Sequence, residues 1–283
     1  MAKKSKGVTK VVSKPILTIT VPFCPKPNFL DKVVDILCDP KDGIFDNAQN
    51  NLKNIYDDMR VNINKPSQPN PTYPLPNVLQ GSVNTSLLVD PNGNLTAGHD
   101  LPVWLNEPCT AERRILVLSQ DPKRSVPQTS PITISSPFGL HSLKWRSSLT
   151  KGIIPYAFVE LIDEVKEEKG IDICAYFTDI YKLRKTEPSD LDINNVCRYK
   201  EILCQEIRNF NPHIVVLLGN EAASAFYIMS CCCNHEKPKK IITLPHPNAR
   251  YNKKNGTWGN IKIPNAKART KIDKIKEIIK KVI

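Results

Sequence analysis

Four short, almost wholly apolar runs, each followed by a polar cluster, constrain the fold of this chain more than any other feature. They are RILVLS (114–119), ICAYFT (173–178), HIVVLL (213–218) and KIITL (240–244). Each is too short for a core helix, and three are continuously hydrophobic, the pattern of a strand buried on both faces. Helical periodicity fills the spaces between them. Ile153 to Glu168 reads as a helix. Ser189 caps the next, which places Ile193, Val196, Leu203, Ile207 and Phe210 on one face, and NEAASAFYIM (220–229) follows the third strand. Strands alternating with helices predict a three-layer α/β/α domain around a central, mainly parallel four-stranded sheet. A last helix, from about Pro264, turns Ile272, Ile275, Ile279 and Val282 toward the body and its lysines outward.

The first hundred residues read as an irregular, partly helical N-terminal extension (1–108) ahead of the α/β domain (109–283). Asn28 can cap a helix running to about Cys38 with Phe29, Val33 and Ile36 on one stripe, and a second helix is expected from Asp46 to about Arg60. NKPSQPNPTYPLPN (64–77) is too rich in proline to be anything but extended, and DPNGN (90–94) signals a hairpin. The apolar run from Ile16 to Cys24 is broken by Thr18, Thr20 and Pro22 and lacks a small-residue cleavage site, so a strand is expected there rather than a signal peptide. No stretch is long enough to span a membrane. Nine cysteines without CxxC spacing argue for free thiols and a cytoplasmic protein.

Charge narrows the function. The chain of 283 residues carries a net charge of +12, and Lys237–Ile283 alone holds 14 Lys/Arg against 2 Asp/Glu. A basic C-terminal fifth on a neutral body suits a polyanion, nucleic acid being the commonest; a solubilising surface is the alternative.

The four strands end in Ser119-Gln120-Asp121-Pro122, Thr178-Asp179, Gly219-Asn220 and Pro245-His246-Pro247. In an open parallel sheet the ligand crevice lies at the carboxyl ends of the strands, so two acids, a glycine turn and a histidine would converge there. These segments resemble a known family. SQDPKR (119–124) looks like the GQDPYH motif of uracil-DNA glycosylases, and LPHPNAR (244–250) like their HPSP segment. FTDIYKLRK (177–185) and PHIVVLLGNEAASAF (212–226) are similar to segments of the bacterial and archaeal branch. Motif order is kept, with 58 residues from Asp121 to Asp179 and 67 more to His246.

The resemblance, which covers roughly 113–283, implies a monomeric DNA glycosylase that flips its target base and needs no cofactor. Asp121 would stabilise the sugar cation and orient water, His246 would hydrogen-bond the departing base, and Gln120 would line the base pocket. Phe138 would stack on the base. Ser135, Ser136 and Asn220 would hold phosphates, as would Lys253 and Lys254, and Arg250 or Tyr251 would fill the vacated stack. The departures are equally informative. Leu183 stands where the branch's iron–sulfur cluster needs a cysteine, and the N-terminal cysteine pair is missing, so no cluster or other metal is expected. Lys123 replaces the tyrosine that excludes 5-substituted pyrimidines, and Asp179 replaces the asparagine that reads uracil. Ionised, an aspartate accepts twice and matches a 4-amino group with a protonated N3; protonated, it matches neutral cytosine. The expectation is a glycosylase for a cytosine-type base, such as modified phage DNA carries. Uracil excision in repair and a non-catalytic DNA-binding protein are the alternatives.

Overall fold

The computed structural model describes residues 17–25, 28–65, 73–74, 79, 98–120, 133–182, 193–230 and 238–283, without the side chains of 73–74, 193–198 and 230. Its elements run α1 (Asn28–Leu37), α2 (Gln49–Asn62), β1 (Tyr73–Pro74), β2 (Gly98–Asp100), β3 (Val103–Leu105), β4 (Arg113–Ser119), β5 (Thr133–Ser135), a 3-10 turn (Pro137–Gly139), α3 (Leu143–Arg146) and α4 (Ile153–Lys169). They continue with β6 (Ile173–Asp179), α5 (Ile193–Phe210), β7 (Ile214–Leu218), α6 (Asn220–Ser230), β8 (Lys240–Leu244), β9 (Tyr251–Asn252), β10 (Thr257–Trp258), β11 (Ile261–Lys262) and α7 (Ala268–Lys280).

The central sheet has the order β3-β6-β4-β7-β8. The four strands expected from the sequence are mutually parallel, and a fifth, β3, joins antiparallel at the β6 edge through Val103↔Phe177. Neighbouring side chains of β6 show how both faces are covered, because successive residues of a strand point to opposite sides. Tyr176 meets Phe29 of α1 and Phe210 of α5, whereas Phe177 meets Phe158 of α4. One helical layer therefore holds α1 and α5, with α2 packed on α1 and α6 on α5; α4 and α7 pack together on the other face. The outer strand β8 is mostly exposed and buries only Leu244 fully.

The lead-in contributes to the same core. Phe29, Val33 and Ile36 are buried as expected, and Trp104 of β3 packs its ring against Phe29 and Tyr56. The second helix starts at Gln49, three residues later than predicted. Arg146, wholly buried, donates to the carbonyls of Leu17 (2.5 Å) and Ile63 and so ties the start of the lead-in to the α/β body. Ser189 and the 90–94 hairpin lie outside the described residues. Cys24, Cys38, Cys109 and Cys174 carry free thiols, but Cys204 is disulfide-bonded, which departs from the expectation of free thiols throughout. Among the described residues no helix is long and apolar enough to cross a membrane.

The last helix corrects the sequence reading in two ways. It begins at Ala268 rather than near Pro264, because Asn265 first closes a turn, its Oδ1 accepting from Lys267 N (3.0 Å) and Thr270 Oγ1 (2.7 Å). Its lysines do not all face outward: Lys271 and Lys276 are buried. Lys276 reaches Glu160 (2.7 Å) and Glu164 (2.6 Å) on α4, Arg269 pairs with Glu160 (2.6 Å), and Lys280 pairs with Glu164 (2.9 Å) and Glu168 (2.7 Å). Three cations of the basic segment are thus paired with α4 carboxylates.

This ladder makes stability depend on pH. Partial burial pushes the Glu160 and Glu164 carboxyls up, but hydrogen bonds and charge from Arg269, Lys276 and Lys280 outweigh it and hold both below the ordinary value. A lowered carboxyl stabilises the fold above its unfolded pKa and stops doing so as pH falls through the folded one. Thermal melting temperature should therefore drop as pH falls from about 5 to about 3, and Lys276→Met should flatten that decline. Identical acid-side slopes in melts of the two proteins would show that the ladder contributes nothing.

Candidate active site

The carboxyl ends of β6, β4, β7 and β8 lie along one edge of the sheet, in that order. Ser119 of β4 pairs in register with Asp179 of β6, and the Ser119 hydroxyl donates to Asp179 Oδ1. Asp179 is buried. The pairing continues past the strands, where Ile180 N donates to Ser119 O (3.0 Å) and Tyr181 N to Gln120 O (2.9 Å). The segment that carries Asp179 is therefore stitched to Ser119-Gln120, from which the chain passes directly to Asp121. Asp121, Lys123 and Arg124 lie outside the described residues, as does Leu183.

Beneath this edge sits a buried polar cluster that the sequence reading missed. Lys182 Nζ donates to Thr178 Oγ1 (2.6 Å) and pairs with Glu206 of α5, and Glu206 also accepts from Tyr176 OH (3.1 Å) and Thr178 Oγ1 (3.2 Å). The backbone carbonyl of Lys182 is in turn bonded to His99 Nδ1 (2.6 Å) of β2. One signal was available: Glu206 sits between Leu203 and Ile207 on the apolar stripe of α5, where a charge is tolerated only with a buried partner.

On the far side, His246 follows β8 in a tight turn closed by Ala249 N donating to His246 O (2.8 Å), with Pro247 at the second position that such turns favour. Asn248 N donates to His246 Nδ1 (3.2 Å). An acceptor at Nδ1 assigns the neutral tautomer with its proton on Nε2, a hydrogen-bond donor. The short β9-β10-β11 sheet buttresses the turn. Buried Trp258 donates from Nε1 to His246 O (3.2 Å), and Gly259 lies so close to Pro245 that a Cβ there would come within 2.7 Å of the proline ring. Gly219, after β7, has φ +96° and lets the chain turn beside the His246 Cβ, 3.5 Å from where a side chain would begin.

Phe138 lies in the 3-10 turn that contacts β6. It is half-buried and holds φ 57°, a left-handed conformation that costs a non-glycine residue about 1–3 kcal/mol and concentrates at functional loops. Ser135 and Ser136 are buried. Ser136 Oγ is spent on His141 Nδ1 (2.7 Å), so the pair braces the loop that carries Phe138. Asn220 is exposed at the start of α6, and Arg250, Lys253 and Lys254 are exposed near the His246 turn. Tyr251 differs from that group: its hydroxyl donates to Ile263 O (3.3 Å) and its ring packs on the core, which leaves Arg250 as the projecting member of the two. No group of three or more His, Cys, Asp or Glu that could hold a metal occurs among the described residues.

The family model described as "Uracil DNA glycosylase superfamily" matches residues 107–271, which includes every strand-end cluster named above. No curated protein matches the chain.

The buried pair gives a direct test of what holds the site together. Glu206→Gln strands the Lys182 ammonium in the interior and should destabilise the protein by roughly 3–5 kcal/mol, whereas Lys182→Met combined with Glu206→Leu should recover most of that loss. Urea unfolding of the two variants measures both. A Glu206→Gln protein as stable as the wild type would remove the pair from this structural role.

Proposed function

The chain belongs to the uracil-DNA glycosylase superfamily, and from that premise we propose that it hydrolyses the N-glycosidic bond of a cytosine-type base flipped out of DNA. The observation that carries this reading is the strand-end pair: Asp179, the position that resembles the family's base-reading asparagine, lies buried beside Ser119 at the carboxyl edge of the sheet. Breaking the bond builds positive charge on the sugar and negative charge on the departing base. Asp121 stabilises the first and directs water to C1′. His246 answers the second, since its Nε2–H can donate to the base O2 as charge collects there. Asp179 supplies acceptors that fit a 4-amino group and a protonated N3, and its negative charge favours that protonation. Lys123, in place of an excluding aromatic, admits a substituent at C5. Bases of this kind mark modified phage DNA, so the role proposed is antiviral defence, with the protein acting as a monomer on DNA inside the cell.

The DNA face follows from charge left over after internal pairing. Arg250, Lys253, Lys254, Lys262 and Lys267 pair with no carboxylate among the described residues, and all lie between the His246 turn and α7. Arg250 is the candidate to enter the vacated stack, and the start of α6 at Asn220 suits a phosphate.

Incubating the protein with a panel of modified DNAs, with released base identified by mass spectrometry, tests the activity; Asp121→Asn serves as the inactive control. The wild type should prefer a cytosine derivative, and Asp179→Asn should move the preference toward uracil by roughly 5- to 150-fold, the worth of about 1–3 kcal/mol for one mispaired polar group. Efficient uracil release by the wild type, with no cytosine derivative released, overturns the base assignment and leaves uracil excision in its place. DNA affinity should also fall steeply with salt, and replacing Lys253 and Lys254 by alanine should flatten the log–log slope by at most about 2 units. An unchanged slope would put DNA on a different surface.

A further inference from the structure

We propose that Lys271, on the last helix, is a positioning residue for His246, holding from behind the turn that presents the imidazole. The inference rests on the glycosylase reading above and adds a residue to its machinery. Lys271 is buried, and its Nζ donates to the carbonyls of Pro247 (2.8 Å) and Ala249 (3.5 Å) while lying over the face of Trp258, 5.1 Å from the ring centre. The other cations of the helix behave differently. Arg269, Lys274, Lys276 and Lys280 all pair with carboxylates, as does Lys281 just beyond it, whereas Lys271 pairs with none among the described residues.

A buried cation without a counter-ion is costly, and an apolar residue at 271 would extend the stripe formed by Ile272, Ile275 and Ile279 at no such cost. What the lysine offers instead is donors. The His246–Ala249 turn contains a proline, which has no N–H, so donors for its outward carbonyls must come from outside the turn. Trp258 supplies one to His246 O, and Lys271 supplies those to Pro247 O and Ala249 O. Held on both sides, the turn fixes the direction of the imidazole whose Nδ1 accepts from Asn248 N.

The charge has a second effect. The ammonium is held at the back of the turn by the Pro247 and Ala249 carbonyls. There it adds positive potential at the end of β8, where negative charge on the departing base would collect. Burial pushes the Lys271 ammonium below its usual pKa, which fits a cation held by two carbonyls and a ring face with no carboxylate among the described residues. Its helix is anchored to α4 through Glu160 and Glu164, so the ammonium is delivered from a rigid element.

The test compares Lys271→Met and Lys271→Arg with the wild type. It uses single-turnover base release on the best substrate of the panel, DNA affinity, and the imidazole nitrogen resonances of His246. Lys271→Met should slow release about 100-fold while DNA affinity changes by no more than about threefold, and Lys271→Arg should recover the rate to within about tenfold of wild type. His246 should show the Nε2–H tautomer in the wild type and a mixture in Lys271→Met. A Lys271→Met protein with wild-type rate and wild-type His246 resonances overturns the proposal, and so does an arginine variant as slow as the methionine one. Should Lys271→Met fail to fold, Lys271→Arg decides alone: near-wild-type rate and His246 resonances support the role, and a loss as deep as that of Asp121→Asn refutes it. If the wild type releases no base from any DNA, the glycosylase reading fails by itself. The His246 resonances still decide for Lys271, because a tautomer indifferent to the substitution ends its claim.

Discussion

The site depends on one constraint, the shared register of β6, β4 and β7. β4 pairs over its length with β6 on one side and from Ile115 to Leu118 with β7 on the other, and apart from Arg113 and Arg114 the three strands are buried. A slip of one residue in any pair would turn every core side chain to the wrong face, so the register is fixed by the whole apolar core rather than by the site. Because the strands are parallel, that register also fixes which residues meet at their carboxyl ends. Ser119 stands beside Asp179 for the same reason that Val117 stands beside Phe177. The chemistry is placed by hydrophobic burial well below it.

Polar groups just under the edge refine what the sheet has placed. The Lys182–Glu206 pair is costly to bury, yet it satisfies Thr178 and Tyr176 and pins the segment that runs from Asp179 back to Gln120. On the far side, the β9-β10-β11 sheet and α7 do the same for the His246 turn. Electrostatics are sorted in the same way. Glutamates of α4 absorb the charge of α7, and the positive field that remains lies between the His246 turn and that helix. The net charge of the basic segment suits a polyanion, and the proposed DNA face is the part of it left without carboxylate partners among the described residues.

How much of this was legible depends on the range of the interaction concerned. β4, β6 and β7 were readable because burial on both faces leaves an apolar run, and the carboxyl ends of the parallel strands named Asp179, Gly219 and His246 as neighbours. β3 was not readable. Its three residues, Val103–Leu105, show no period, and it becomes a strand only because β6 offers an open edge and Trp104 fills the space between α1 and α2. Lys271 and Lys276 were assigned outward by a rule that sends charge to solvent; α4 and the His246 turn, distant in sequence, overrule it. The sequence offers Ser135 and Ser136 to phosphate through hydroxyl and backbone N–H groups; it does not show that both are buried or that the Ser136 hydroxyl meets His141. The resemblance offers Arg250 and Tyr251 equally, and only the Tyr251 hydroxyl is bonded to the carbonyls of Ile263 and Pro264.

On the base-reading role proposed for Asp179, the Ser119–Asp179 pair would let specificity vary without disturbing the fold. Aspartate and asparagine have nearly the same shape, and the hydroxyl opposite them both donates and accepts. Facing a carboxylate, Ser119 must donate, as it does here. Facing a carboxamide, the same hydroxyl can donate to the amide oxygen or rotate to accept from its NH2 group. The Ser119 hydroxyl can therefore bond either residue. In the proposed reading the difference lies in what the side chain offers a base, two acceptors in one case and a donor with an acceptor in the other. A position so supported can change what it reads while strand register, Lys182, Glu206 and the His246 turn stay as they are.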